Sequence, residues 1–292
     1  MKTRFLVVDI LRVFAVLLVL LFHFFPKTFY FGFIGVDVFY IISGYVIANS
    51  INSKNITFTW IDFLNRRFFR LFPNLFILVL VVLFIFSFLF PIGLLPFLFK
   101  TSFSSLGAFS NLFYGTVSGY FDIISEINPL LHTWSLSVEW QFYFIVTLIL
   151  FVSKSKKSIL RIVWFLSLLS FLTMIIIMND RPTFNFYSIF TRFHEFGFGF
   201  LLFVYKDFFS SLLNIKKIIL TIGLSTIIIL FLYHPDIINY WPNPYIILLE
   251  IIICLIISLN IEIKFLFVKK IILWFSDRSY GIYLIHYHFA AC

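Results

Sequence analysis

"DILRVFAVLLVLLFHFF", residues 9–25, is an oily stretch interrupted by one arginine and one histidine, Arg12 and His23, eleven positions apart. At about 3.6 residues and 5.4 Å per turn, eleven steps are about three turns, so the two side chains share one helix face roughly 16 Å apart. A cation and a base held along one face of so apolar a helix mark a path across a membrane. The run from Phe5 to Phe25 is longer than a signal-peptide core and no small-residue cleavage site follows it, so it is expected to stay as a span.

The rest of the chain is of the same kind. Its 292 residues are 62% apolar and only 12% charged, with a mean hydropathy of +1.05, outside the usual composition of soluble domains. Apolar runs near the 20 or so residues that a bilayer core needs recur from end to end. The expectation is an all-α polytopic transmembrane bundle of about nine to ten spans, one domain over residues 1–292 with no soluble domain. The expected spans are 5–25, 32–50, 72–92, 130–152, 161–178, 190–206, 217–233, 245–260 and 277–292. A shorter apolar segment, 97–114, is broken by Ser104, Ser105 and Gly107 and reads as re-entrant or as a tenth span.

A formal net charge of +9 raises nucleic acid as a partner, but the basic residues fall in short clusters between apolar runs. Membrane topology accounts for them better. With the N-terminus in the cytoplasm, Arg66, Arg67, Arg70, Lys156, Lys157, Arg161, Lys206, Lys269 and Lys270 all fall on that side, and Lys27, Lys100 and Arg181 on the other. Cys254 and Cys292 imply no disulfide framework. Counted from Tyr280 to Cys292, the last span is only thirteen residues, roughly 20 Å against a core of about 30 Å. Either its helix starts earlier, near Ile271, or the chain is truncated.

Arg12, Asp37, Glu139 and Glu250 fall inside the expected spans. An ionised group at the bilayer centre costs roughly 2.5 to 3.5 kcal/mol on insertion scales, so each must face a cavity or a partner. A buried structural pair, or a protonated carboxyl at Glu250, is the plain alternative. His23 lies near the outer end of its span, where an imidazole of ordinary pKa near 6.5 can take a proton from a hydroxyl. In "FLNRRFFRLFP", residues 63–73, Asp62, Arg66 and Arg70 are spaced four apart, which predicts an interfacial helix with a polar stripe; Pro73 then opens the next span. Positive-inside anchoring explains this cluster too. Its three arginines, where other basic clusters use mostly lysine, suit bidentate grip on phosphates.

"NPLLHTWSLSVEWQFYF", residues 128–144, places Asn128 and Pro129 as cap and first helical position. Ser135, Glu139 and Tyr143 then share a face, with His132 one turn above Ser135. Glu139, about 15 Å in from Pro129, is placed to orient or charge-balance His23. "TRFHEFGFGFLLF", residues 191–203, pairs Arg192 with Glu195, and Gly197 and Gly199 permit close helix packing. Asp37, Ser43, Trp134, Ser135, Arg192 and Glu195 are the further candidates for lining a cavity; no metal site is expected.

These stretches together resemble acyltransferase family three, multi-pass membrane enzymes that acylate extracytoplasmic carbohydrates. "DILRVFAVLLVLLFH" is similar to the family's arginine, ten residues, histidine signature at Arg12 and His23. "GFIGVDVFYIISGYVI" (32–47), "RRFFRLFP" (66–73), "HTWSLSVEWQFY" (132–143) and "SYGIYLIHYHF" (279–289) resemble its other motifs, in the family's order. The resemblance implies a bacterial inner-membrane enzyme with acyl-CoA, acetyl-CoA foremost, as cytosolic donor substrate. It implies no permanently bound cofactor, and a glycan hydroxyl outside as acceptor, on lipopolysaccharide O-antigen, exopolysaccharide or similar. His23 is then catalytic, with Arg12 as its donor-side partner and Glu139 in support, and Arg66, Arg67 and Arg70 hold the donor's phosphates. Some members carry a C-terminal hydrolase-like domain, which these 292 residues do not include. The competing reading is a glycan or acyl-group transporter without chemistry, which buried charges also suit; an inactive relative ranks third.

Overall fold

Among the described residues the oily runs fold as helices and form no strand. The computed structural model describes residues 5–52, 60–117, 128–153, 155–211, 222–223, 241–258 and 265–290. The first two spans are α1 (Leu6–Phe24) and α2 (Ile34–Asn52), followed by α3 (Trp60–Leu89). A short 3-10 turn leads to α4 (Leu95–Leu106) and α5 (Ser110–Val117). Then come α6 (Thr133–Val152), α7 (Lys156–Ile177), the single-turn α8 (Pro182–Tyr187), α9 (Ile189–Val204), α10 (Lys206–Ser211), α11 (Ile246–Ser258) and α12 (Leu266–Ala290).

Five of these, α1, α2, α3, α6 and α7, are long and apolar enough to cross a membrane. Their outer faces carry side chains that water would reject: Phe84, Phe88, Leu89, Phe165 and Ile176 are each more than 60% exposed. Apolar surface on that scale fits a lipid solvent. The chain is a multi-pass, all-α membrane bundle.

α2 is the central helix, and two glycine contacts put it there. A Cβ on Gly44 would sit 1.9 Å from the Phe196 carbonyl oxygen, and one on Gly199 would sit 1.9 Å from that of Ile41, so α2 and α9 touch backbone to backbone. In lipid, where apolar burial drives little association, such close approach supplies the packing. α9 in turn packs on α7, where Gly197 accommodates Ser167. α12 runs parallel to α1: Ser276 donates to Asp9 at 2.6 Å near one end, and the rings of His23 and His286 lie 4.9 Å apart at the other.

Two expectations change, and for the last helix the earlier start holds. The arginine stripe and the following span are one 30-residue helix, with Pro73 inside it and not in its first turn. A membrane helix tolerates that proline because neighbouring groups re-satisfy the freed carbonyl. Asn128 caps a turn, accepting from the Leu130 amide at 3.1 Å, and α6 starts only at Thr133. The last helix starts at Leu266, ahead of Ile271; its 25 residues span roughly 37 Å, enough for the core.

The segment 97–114 folds as α4 and α5, broken at Gly107–Phe109 with Ala108 at φ 60°. At roughly 18 and 12 Å neither reaches across a core of about 30 Å. α3 and α6 are antiparallel, as the ring contacts Trp60–Phe151 and Phe63–Tyr143 require, so the segment leaves from and returns to one face, as a re-entrant element does. The expected span 217–233 lies outside the described residues except for Ile222 and Gly223.

Candidate active site

α1, α2, α3, α6 and α12 enclose a cavity of about 680 Å³, counting its open mouth. Each helix contributes through its own repeat. α6 presents Ser135, Glu139 and Tyr143 at the four-residue spacing of one face, as the sequence predicts. α3 presents Arg67 and Arg70, three apart, and α1 presents Arg12. Three guanidiniums and one carboxylate thus face one cavity inside an apolar bundle. That imbalance favours an anionic occupant.

Two of the cations are held in place. Arg12 lies 3.6 Å from Asp9, whose carboxylate is fixed by Ser276. The Arg67 guanidinium lies over the rings of Tyr143 and Phe63, 5.2 and 5.7 Å from their centroids. Arg70 is exposed and Arg67 half-buried, which sets the mouth at the arginine end. Arg66, on the same helix, is exposed and does not line the cavity.

Glu139 accepts from Ser43 at 3.0 Å and from Tyr143. Both hydroxyls belong to the cavity wall, so the carboxylate serves the arginine-lined chamber. It sits seven residues, roughly 10 Å of helix, below His132, which is the N-cap residue of α6 and joins His23 in a cluster with His286 and Tyr287. Glu139 therefore belongs to the arginine-lined chamber, and the histidines gather beyond it.

At the upper level the rings of His23, His132, His286 and Tyr287 cluster. His286 is 4.9 Å from His23 and 5.7 Å from His132; Tyr287 is 5.1 Å from His23 and stacks on His132 at 5.3 Å. His23 Nδ1 faces the Val19 carbonyl at 2.9 Å. A carbonyl only accepts, so in the neutral ring Nδ1 carries the proton and Nε2 is the basic nitrogen. Between the levels stand Ser135 and Tyr283, 2.6 Å apart.

Four candidates lie elsewhere. Arg192 donates to Asp37 at 2.5 Å, to Glu195 at 3.0 Å and to the Phe186 carbonyl at 2.9 Å; Trp241 donates to the other Asp37 oxygen at 2.9 Å. Trp134 lies under the Arg192 guanidinium, 5.8 Å from its ring centroid. Asp37, Arg192 and Glu195 are fully buried between α2 and α9, and none of the four lines the cavity. One guanidinium bridges two carboxylates from two helices, and this makes the cluster a structural tie between α2 and α9. Glu250 is likewise paired, with His194 at 2.9 Å. Ser43 and Ser135 do line the cavity.

Sequence reasoning left His286, Tyr280, Tyr283 and Ser279 unassigned, because α12 looked too short to reach both levels; its closing motif held the signal. Among the described residues no group of histidine, cysteine or carboxylate side chains is arranged to hold a metal ion.

The model of a family described as an acyltransferase domain matches residues 5–291. The chain is 33% identical to the peptidoglycan O-acetyltransferase OatA of Listeria monocytogenes over 304 residues, covering 96% of this chain and 48% of that protein. It is 29% identical to the O-acetyltransferase OatA of Staphylococcus aureus over 303 residues, covering 96% and 49%. The chain thus spans about half the length of the curated relatives it matches. No solved structure matches it. A family model that matches all but the first few residues and the last places the chain in acyltransferase family three.

Proposed function

We propose that this chain is a membrane O-acyltransferase that moves an acyl group, acetyl foremost, from cytosolic acyl-CoA to a hydroxyl of an extracytoplasmic glycan. The observation that carries the reading is a two-level arrangement: an anion-seeking chamber lined by Arg12, Arg67 and Arg70 below, and beyond it His23, with a basic Nε2, on the same face of α1 as Arg12. Acyl-CoA has the matching form, a polyanionic head and a thin arm ending in a thioester. The arginines bind the phosphates, and the arm extends past Arg12 toward His23.

His23 Nε2 takes the proton of the acceptor hydroxyl as its oxygen attacks the thioester carbonyl. The C–S bond breaks, an ester forms and CoA leaves as the thiolate. An acyl-histidine intermediate remains an alternative order of the same bonds. The OatA relatives are named for O-acetylation, of peptidoglycan in the Listeria protein, which supports a cell-wall glycan as the acceptor class. We place the arginine mouth in the cytoplasm because Lys156, Lys157, Arg161 and Lys206 lie at the same helix ends.

The test is ester-linked acetate on surface glycan, measured by mass spectrometry in cells lacking the gene and in cells complemented with it. Restoration of acetate by the intact gene is expected. Restored surface glycan without acetate would instead support an exporter.

A further inference from the structure

We propose that His132 and His286 form, with His23, the subsite that holds the acceptor's hydroxyl groups. The proposal rests on the acyltransferase reading and adds two residues to it. Both imidazoles are buried, each 2% exposed. Neither ring nitrogen of His132 makes a hydrogen bond of ordinary geometry within the described residues, its one backbone interaction being with Leu284, and neither does Nε2 of His286. Buried polar atoms are nearly always satisfied, and three orphaned nitrogens in adjoining rings, 5.7 Å apart, need a common explanation. Packing does not give one: the same space filled by phenyl rings would avoid the desolvation loss. A hydroxylic ligand does.

The proton positions fit that ligand. Nδ1 of His286 faces the Tyr283 carbonyl at 2.5 Å, so in the neutral ring it is the donor, leaving Nε2 as an acceptor. His23 is arranged in the same way against Val19. His132 has a nitrogen able to donate whichever tautomer it takes. The set therefore offers acceptors at His23 and His286 and a donor at His132. A hydroxyl needs both kinds, one to receive its proton and one to give a hydrogen bond to its oxygen. Neighbouring hydroxyls on a sugar ring use all three imidazoles, with one proton going to His23 and a second held by His286. The flat ring of Tyr287, stacked on His132 at 5.3 Å and lying 5.1 Å from His23, completes the same cluster.

The substitutions that separate this role from a structural one are His286→Asn, His286→Gln and His132→Phe. Asparagine keeps a donor near the Nδ1 position and discards Nε2, whereas glutamine reaches the Nε2 position and discards Nδ1. His132→Phe keeps the stacked ring and removes both nitrogens. In the complemented cells, His286→Asn should lower glycan acetate at least about tenfold while His286→Gln retains more than Asn does. His132→Phe should lower it at least about tenfold while the melting temperature of the purified protein holds or rises, because an unsatisfied buried polar group has been removed. The reverse order at 286, with Asn active and Gln inactive, would mean that only the Nδ1 contact matters and would overturn the subsite. So would full activity in His132→Phe, or its loss together with a lowered melting temperature. Should the unaltered gene restore no acetate, the acyltransferase reading itself fails and the subsite with it; an active unaltered gene with fully active variants removes the subsite alone.

Discussion

Ser135 and Tyr283 meet hydroxyl to hydroxyl at 2.6 Å, and their contact divides the arginine-lined chamber from the histidines above it. The Tyr283 hydroxyl also donates to the His132 carbonyl at 3.1 Å, so this one oxygen ties α12 to the first turn of α6. Tyr283→Phe keeps the ring and removes both bonds, an expected loss of about 1–2 kcal/mol. Ser135→Ala should lose about 1 kcal/mol, and the double variant should fall short of the sum by a similar amount, since the two share a bond. Melting of the purified protein in detergent measures each; strict additivity would contradict the contact.

The α2–α9 seam predicts a sharp contrast between two glycines. Gly199→Ala drives a methyl group to 1.9 Å from a backbone oxygen of α2, which cannot yield as a side chain would. It should destabilise by about 1–3 kcal/mol or more. Gly281, inside α12, has open space where its Cβ would go. Gly281→Ala should be neutral or stabilise by up to about 1 kcal/mol through helix propensity. Equal melting shifts for the two would contradict the seam.

Much of this was legible in the sequence, because lipid leaves few choices: runs of apolar residues must satisfy their backbones as helices, so the all-α class and the five long apolar helices were readable from the apolar runs. The faces of α1 and α6 followed from spacing, and Ser135, Glu139 and Tyr143 lie together as expected. What the sequence left open is which helices touch. Whether Glu139 meets His23 was not readable from spacing; in the fold Ser43 of α2 and Tyr143 take its carboxylate. Asp37 and Arg192, 155 positions apart, resembled cavity groups individually; only their meeting across the glycine seam turns them into a structural pair.

That pair gives the third prediction. Arg192→Met leaves Asp37 and Glu195 buried without their cation, and breaking such a pair from one side costs about 3–5 kcal/mol. The variant should fail to accumulate in the membrane, as read by immunoblot of membrane fractions. A well-folded but inactive Arg192→Met would move this cluster into the catalytic site.

Cavity arginines should behave differently. Arg70→Lys keeps the charge but gives up the planar fork that grips a phosphate at two points. Under the proposed function it should raise the KM for acyl-CoA about tenfold, with kcat and membrane level little changed. Arg66→Lys, at an exposed position off the cavity wall, should change KM much less. Equal effects at 66 and 70 would dissociate donor binding from the cavity.

The most direct test follows acyl transfer across the membrane. Inverted membrane vesicles receive isotopically labelled acetyl-CoA at their cytosolic face, and label on the enclosed glycan is measured for the unaltered chain and for His23→Ala at matched protein levels. The account predicts labelled glycan with the unaltered chain and roughly 10²- to 10⁴-fold less with His23→Ala, the range that a general base contributes. Undiminished labelling in His23→Ala would contradict it.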